Sequence, residues 1–132
     1  MSFVDLNLDD IPERQTLAEG EYMLECIGAE VKDSKATVGN RYIELRFKVE
    51  EHPEASLVFD RVHLPNESDD LDKKITKAGR LRNAFRDFGI DGSHGFAVEE
   101  FVGKRVFAIL KVTPADGEYP EKNEIARYVK GA

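Results

Sequence analysis

Cysteine is nearly absent from this sequence: Cys26 stands alone among 132 residues. A single cysteine excludes an internal disulfide and leaves a structural zinc site without its usual thiolates. Cys26 lies within an apolar strand pattern and reads as a buried thiol. Long apolar runs are missing too, and no stretch approaches the roughly 20 residues of a membrane helix, so no membrane partner is expected. The opening MSFVDLNLDD lacks the basic start and apolar centre of a signal peptide, and the expected compartment is the cytoplasm. His52, His63 and His94 are spaced unlike metal ligands, and neither GNRY nor DGSHG has the lysine and spacing of a phosphate-binding loop. No serine, histidine and aspartate share a catalytic context. The expectation is a non-catalytic protein with no metal and no cofactor.

Basic residues are also scarce over the first 31 positions. Eight acidic residues there face Arg14 alone, which equals the whole net charge of -7. The rest of the chain is therefore balanced and can carry a local basic face, and local potential matters more for binding than the total. At this length, with 41% hydrophobic and 34% charged residues, the chain fits one globular domain with a real core.

Residues 1–19 read as an acidic N-terminal arm, with spaced apolar residues, acids and a proline but no clean period. Residues 20–132 read as the folded domain. A first strand runs from about Glu21 to Lys32. Tyr22, Leu24 and Cys26 share one face, then Ile27, Ala29 and Val31 take the other parity, a switch beside Gly28 that indicates a bulge or bend. KDSKATVGN is a loop. RYIELRFKVEE is a second strand and LVFDRVHL a third. PNESDDLDKK reads as a loop and helix cap, where carboxylates meet the helix dipole, rather than as a Mg²⁺ site. A helix follows over about 70–88, with Leu71, Ile75, Ala78, Leu81, Phe85 and Phe88 at helical spacing and Gly89 as its stop. A short turn of helix at Val98–Phe101 precedes a fourth strand, KRVFAILKVTP, a turn, ADGEYPE, and a fifth strand, KNEIARYVK. The expected fold is mainly β with one helix, in the order β-β-β-α-β-β, and the expected architecture is a five-stranded OB-like barrel. An open sheet packed on one helix is the rival.

The second strand alternates sharply. Tyr42, Glu44, Arg46 and Lys48 lie on one side, and Ile43, Leu45, Phe47 and Val49 on the other. On the third strand Phe59, Arg61 and His63 share a parity opposite Val58, Val62 and Leu64. Pairing these strands would set aromatic and cationic side chains side by side. A nucleic-acid single strand needs that combination: cations along the backbone and flat rings under the bases. A solvated face is the plainer reading of Glu44, Arg46 and Lys48, and Phe59 has a core reading of its own. Lys32 and Lys35 in the first loop, with Arg41, are placed to close over a bound strand. Lys111, Lys122, Arg127 and Tyr128 on the last hairpin are further candidates, as is Tyr119 in its turn. The helix carries Lys73, Lys74, Lys77, Arg80, Arg82 and Arg86 against Asp72 and Asp87, a second basic region or simply a solvated face.

The segments GEYMLECIGAEVKDS, GNRYIELRFKVEE, LVFDRVHL and NEIARYV, spread over Gly20–Val129, resemble a family of small bacteriophage proteins similar to single-stranded DNA-binding proteins. The resemblance implies an OB-type fold and a role in DNA replication or recombination within the host cytoplasm, but no set of contact residues. The leading expectation is a non-catalytic single-stranded DNA-binding protein with little sequence preference. Its partners would be single-stranded DNA and, through the acidic arm, a replication or recombination protein. Such binders often end in an acidic tail, and EIARYVKGA is not acidic. The alternative is an acidic protein-interaction module, an adaptor or inhibitor of a nucleic-acid enzyme on the same fold. A homodimer joined at the edge of strand Val106–Val112 is a further expectation.

Overall fold

A computed structural model describes residues 2–36 and 39–129. Thr37 and Val38 of the first loop, and residues 130–132 of the tail discussed above, lie outside the described residues. The strands are β1 (Gly20–Asp33), β2 (Arg41–Val49), β3 (Val58–His63), β4 (Arg105–Thr113) and β5 (Lys122–Val129), and helix α1 spans Leu71–Phe88 between β3 and β4. Single 3₁₀ turns sit at Leu8–Asp10 and Val98–Phe101. The chain is thus mainly β with one helix in the expected order.

All five strands form one antiparallel sheet in the order β3-β2-β1-β4-β5. The strand expected to offer a dimerising edge, Val106–Val112, lies inside β4, which pairs with β1 on one side and β5 on the other. Its backbone groups are already committed, so edge pairing there is ruled out, and the true edges are β3 and β5. Flat neighbours stand about 4.8 Å apart, which would place those edges roughly 19 Å from each other. Yet the Tyr128 hydroxyl of β5 donates to an Asp60 carboxylate oxygen of β3. The sheet is therefore strongly curled, with an open seam between β3 and β5 where no ladder forms.

The curl starts in β1. Cys26 pairs with Phe47 but Gly28 pairs with Arg46, so Ile27 is the extra residue of a bulge and is 42% exposed. Before the bulge Leu24 and Cys26 point inward; after it Ala29 and Val31 take the inward register opposite Leu45 and Ile43. This is the parity switch in the sequence, expressed as one unpaired residue. A second irregularity, between Ile109 and Leu110 of β4 and their partners, bends the other end of the sheet.

The inward faces close on Leu24, Cys26, Ile43, Leu45, Phe47, Val58, Ala108 and Leu110, all essentially without solvent contact. Burial raises the Cys26 thiol above its ordinary pKa and keeps it an inert core group. Helix α1 plugs one end. Asp70 caps it by accepting from the Lys73 amide at 2.8 Å, and Gly89 ends it in the left-handed conformation at φ 68°. Asp69 accepts from Lys77 Nζ at 2.8 Å, so Asp69 and Asp70 both serve the helix. Only Ala84, Phe85 and Phe88 of α1 are buried. The Phe88 ring packs 5.9 Å from Phe47 and 5.1 Å from Phe101, centroid to centroid. Leu71 and Ile75, expected on the same core-facing stripe, are 73% and 60% exposed. The helix outruns the end of the curled sheet that it covers, and its mostly exposed first two turns project beyond it.

The N-terminal arm divides at Arg14. The Arg14 guanidinium donates to the carbonyls of Pro53 and Ala55, and Gln15 bridges to Ala55. Leu17 is buried, held by Asn123, whose side chain accepts from the Leu17 amide at 2.8 Å and donates to its carbonyl at 2.9 Å. Residues 2–13 stand out from the domain.

Candidate nucleic-acid interface

The ladder between β2 and β3 aligns Tyr42 with His63, Glu44 with Arg61, and Arg46 with Phe59. Six of the side chains singled out from the sequence therefore share one outward face of two adjacent strands. Partners in register sit about 4.5–5.5 Å apart at Cβ, close enough to act as one surface.

Their roles separate once exposure is considered. Phe59 is 51% exposed, an unusual state for a ring beside a well-filled core, and presents an open stacking surface. Arg61 and His63 are exposed. Tyr42 is only 9% exposed. The Arg61 guanidinium carbon sits 4.9 Å from the Tyr42 ring centroid, and the His63 ring is 5.7 Å away. Tyr42 thus supports Arg61 by a cation–π contact and is not an open platform of its own.

The cations differ as well. Arg46 and Arg61 have no ion pair among the described residues, whereas Lys48 lies 3.7 Å from Glu25. Glu44, the acid in the middle of this face, is 3.0 Å from Lys32, and this contact raises the Lys32 ammonium above its ordinary pKa. Lys32 therefore serves to offset Glu44. Arg46 lies flat on β1: a Cβ placed on Gly28 would fall 2.4 Å from its guanidinium. Glycine at the bulge lets the cation cross the neighbouring strand.

The remaining candidates scatter. Arg41 is exposed at the start of β2, on the same ladder, where its carbonyl accepts from the Leu64 amide. Lys35 is exposed in the β1–β2 loop. Lys111 belongs to β4 and faces Glu124 of β5, 3.9 Å away, and Arg127 pairs across to Ile109. The ladder order sets both two or more strands from β2, so they do not join the β2–β3 face along the sheet. Tyr128 points inward to Asp60 and to the Phe47 and Phe88 rings, which removes it from any outer contact surface. Tyr119 is 75% exposed in a turn closed by reciprocal backbone bonds with Asp116.

The curled sheet contributes groups that strand pairing alone did not indicate. Across the seam, Lys122 and Glu124 of β5 join Phe59, Arg61 and Glu44 around a cleft of about 670 Å³. Lys122 is 3.1 Å from Glu124 and lowers the Glu124 carboxyl below the usual range. On the other side of β3, Arg80 of α1 shares a smaller cleft with Arg61 and His63. Arg61 stands between the two. Lys122 was visible as a cation on the last strand, but its nearness to Phe59 depends on the curl.

At the floor of the seam Asp60 accepts from the Tyr128 hydroxyl and from the Arg61 amide. Burial raises the Asp60 carboxyl above its ordinary range, against the opposing pull of these two donors. Burial, and then the charge of Asp60, push the Tyr128 phenol far above its ordinary value. Tyr128 is therefore a permanent donor, and the pair acts as a latch across the seam. Among the described residues no group of three or more histidine, cysteine or acidic side chains is placed to hold a metal, and no helix is long and apolar enough to cross a membrane.

The face offers one open ring, three exposed cationic or titratable side chains beside it, and a cleft on either side of Arg61. A scan of protein-family models and a search of curated proteins each gave no match to this chain.

Proposed function

We propose that the protein binds single-stranded nucleic acid, with DNA as the first choice, on the outward face of β2 and β3. The observation that carries the reading is the register: Arg46 opposite Phe59, and Arg61 one pair further along, held over Tyr42. A base stacked on Phe59 would have a guanidinium on either side for the flanking phosphates. Stacking accepts any base, and a backbone contact reads none, so little sequence preference follows. The resemblance of Gly20–Val129 to the phage family supports the same reading, including a role in replication or recombination and closure of the sheet as an OB-type barrel. The net charge of -7 does not oppose it, because acids near the face are tied up, Glu44 by Lys32 and Glu25 by Lys48.

A second reading, an acidic module that binds a nucleic-acid enzyme, draws on Glu44 and Glu124 lining the seam cleft. Titration of a fluorescent oligo-dT at low and moderate salt separates the two. Binding that weakens with salt, and that drops by about 1–3 kcal/mol on Phe59→Ala, supports the first reading. Arg46→Glu and Arg61→Glu should each weaken it further. If no oligonucleotide binds at low salt, the first reading is lost and the second stands.

A further inference from the structure

The projecting arm and the uncovered part of α1 are complementary in three respects. The first is apolarity. Phe3, Val4, Leu6, Leu8 and Ile11 are each more than half exposed, Phe3 at 90%. On α1, Leu71, Ile75 and Ala78 form a stripe that leads into a cavity of about 500 Å³ floored by Leu81, Phe85 and Ile90. Exposed apolar patches of this kind usually mark an interaction site.

The second respect is charge. The arm carries Asp5, Asp9, Asp10 and Glu13 with no basic residue before Arg14. The helix cavity is rimmed by Arg82 and Arg86, both exposed and both without an ion pair among the described residues. The third is length. With the Leu8–Asp10 turn drawn out, Phe3–Ile11 would reach about 27 Å, and an 18-residue helix is about 27 Å long.

Within one chain this match is not made, since both apolar surfaces face solvent. We propose that the arm of one chain, residues 2–13, docks along the α1 face of a second copy. Its apolar side chains cover Leu71, Ile75 and the cavity, while its carboxylates meet Arg82 and Arg86. Reciprocal exchange about a twofold axis satisfies both arms and closes a dimer. This goes beyond the nucleic-acid reading and does not depend on it.

Sedimentation equilibrium on the full chain, without nucleic acid, tests the proposal. The wild type is expected to reach twice the chain mass in the tens of micromolar, more weakly as salt rises. Phe3→Ser with Leu6→Ser, and separately Arg82→Glu with Arg86→Glu, should each weaken association at least roughly tenfold. Phe3 and Leu6 are 90% and 61% exposed and Arg82 and Arg86 lie on the surface, so circular dichroism should show an unchanged fold. Reversing the arm, Asp5→Lys with Asp9→Lys, should also disrupt, and combining it with the two Arg→Glu changes in one chain should restore the dimer. A wild type that stays monomeric at several hundred micromolar overturns the proposal. So does a dimer indifferent to the arm and helix variants.

Discussion

The Arg46 guanidinium lies across Gly28, so close that a methyl group on Gly28 would fall 2.4 Å from it. A cation of the proposed binding face thus owes its position to the residue that also marks the bulge in β1. Gly28→Ala should displace the guanidinium but leave the fold intact, because the group that must move ends a flexible side chain. Urea unfolding should show a loss of about 1 kcal/mol or less, while oligonucleotide binding changes measurably. A loss several times larger would mean that glycine is needed there for the backbone.

Tyr42 and Phe59 should separate stability from binding. Tyr42 is nearly buried under Arg61, so Tyr42→Ala removes packing and should cost about 2 kcal/mol or more. Phe59 is half exposed, and Phe59→Ala should cost less than about 1 kcal/mol in stability. Paired denaturation and oligonucleotide titrations of the two variants check this; equal stability losses would contradict the assignment.

Asn123 ties the start of the folded chain to β5 through Leu17 and also donates to the Lys111 carbonyl at 3.3 Å. Asn123→Ala leaves the buried Leu17 amide without its acceptor, which should destabilise by roughly 1–3 kcal/mol. Hydrogen exchange at the Leu17 amide should accelerate by more than exchange in β2. Uniform acceleration would show that the contact is not local.

The seam latch should give a particular pH response. Burial holds the folded Asp60 carboxyl above its unfolded value, which lies near ~4. The native state therefore keeps a proton that the unfolded chain has released. The stability from this site is complete below the unfolded value and is lost as pH rises through the raised one. Asp60→Asn still accepts the Tyr128 hydroxyl but does not titrate. Its stability relative to wild type should improve from about pH 4 to pH 7. Chemical denaturation at both pH values measures the difference, and a trend in the opposite direction would reverse the sign of the shift.

Much of this was legible in the chain. The alternation Ile43, Leu45, Phe47 and Val49 identified β2 because a half-buried strand has a period of two. The parity change at Gly28 signalled the bulge for the same reason. Asp70 and Gly89 bounded the helix, since both cap chemistries are local. The pairing of the Arg46 and Phe59 faces followed from consecutive antiparallel strands. Leu71 and Ile75 were misleading: helical spacing shows that a stripe exists, but not what lies opposite it. Tyr128 misled for a similar reason, since its parity could not show that the phenol would turn inward to Asp60.

The sequence by itself determined the order and type of the elements, the caps, the bulge and the two-sided character of β2. All of these depend on residues within a few positions of one another. Tertiary structure alone decided that β4 is interior, that Lys122 and Arg80 flank Arg61, and that Asp60 meets Tyr128. Those contacts join residues brought together by the curl of the sheet, and curl is a sum of small twists and bulges that no short stretch of sequence carries.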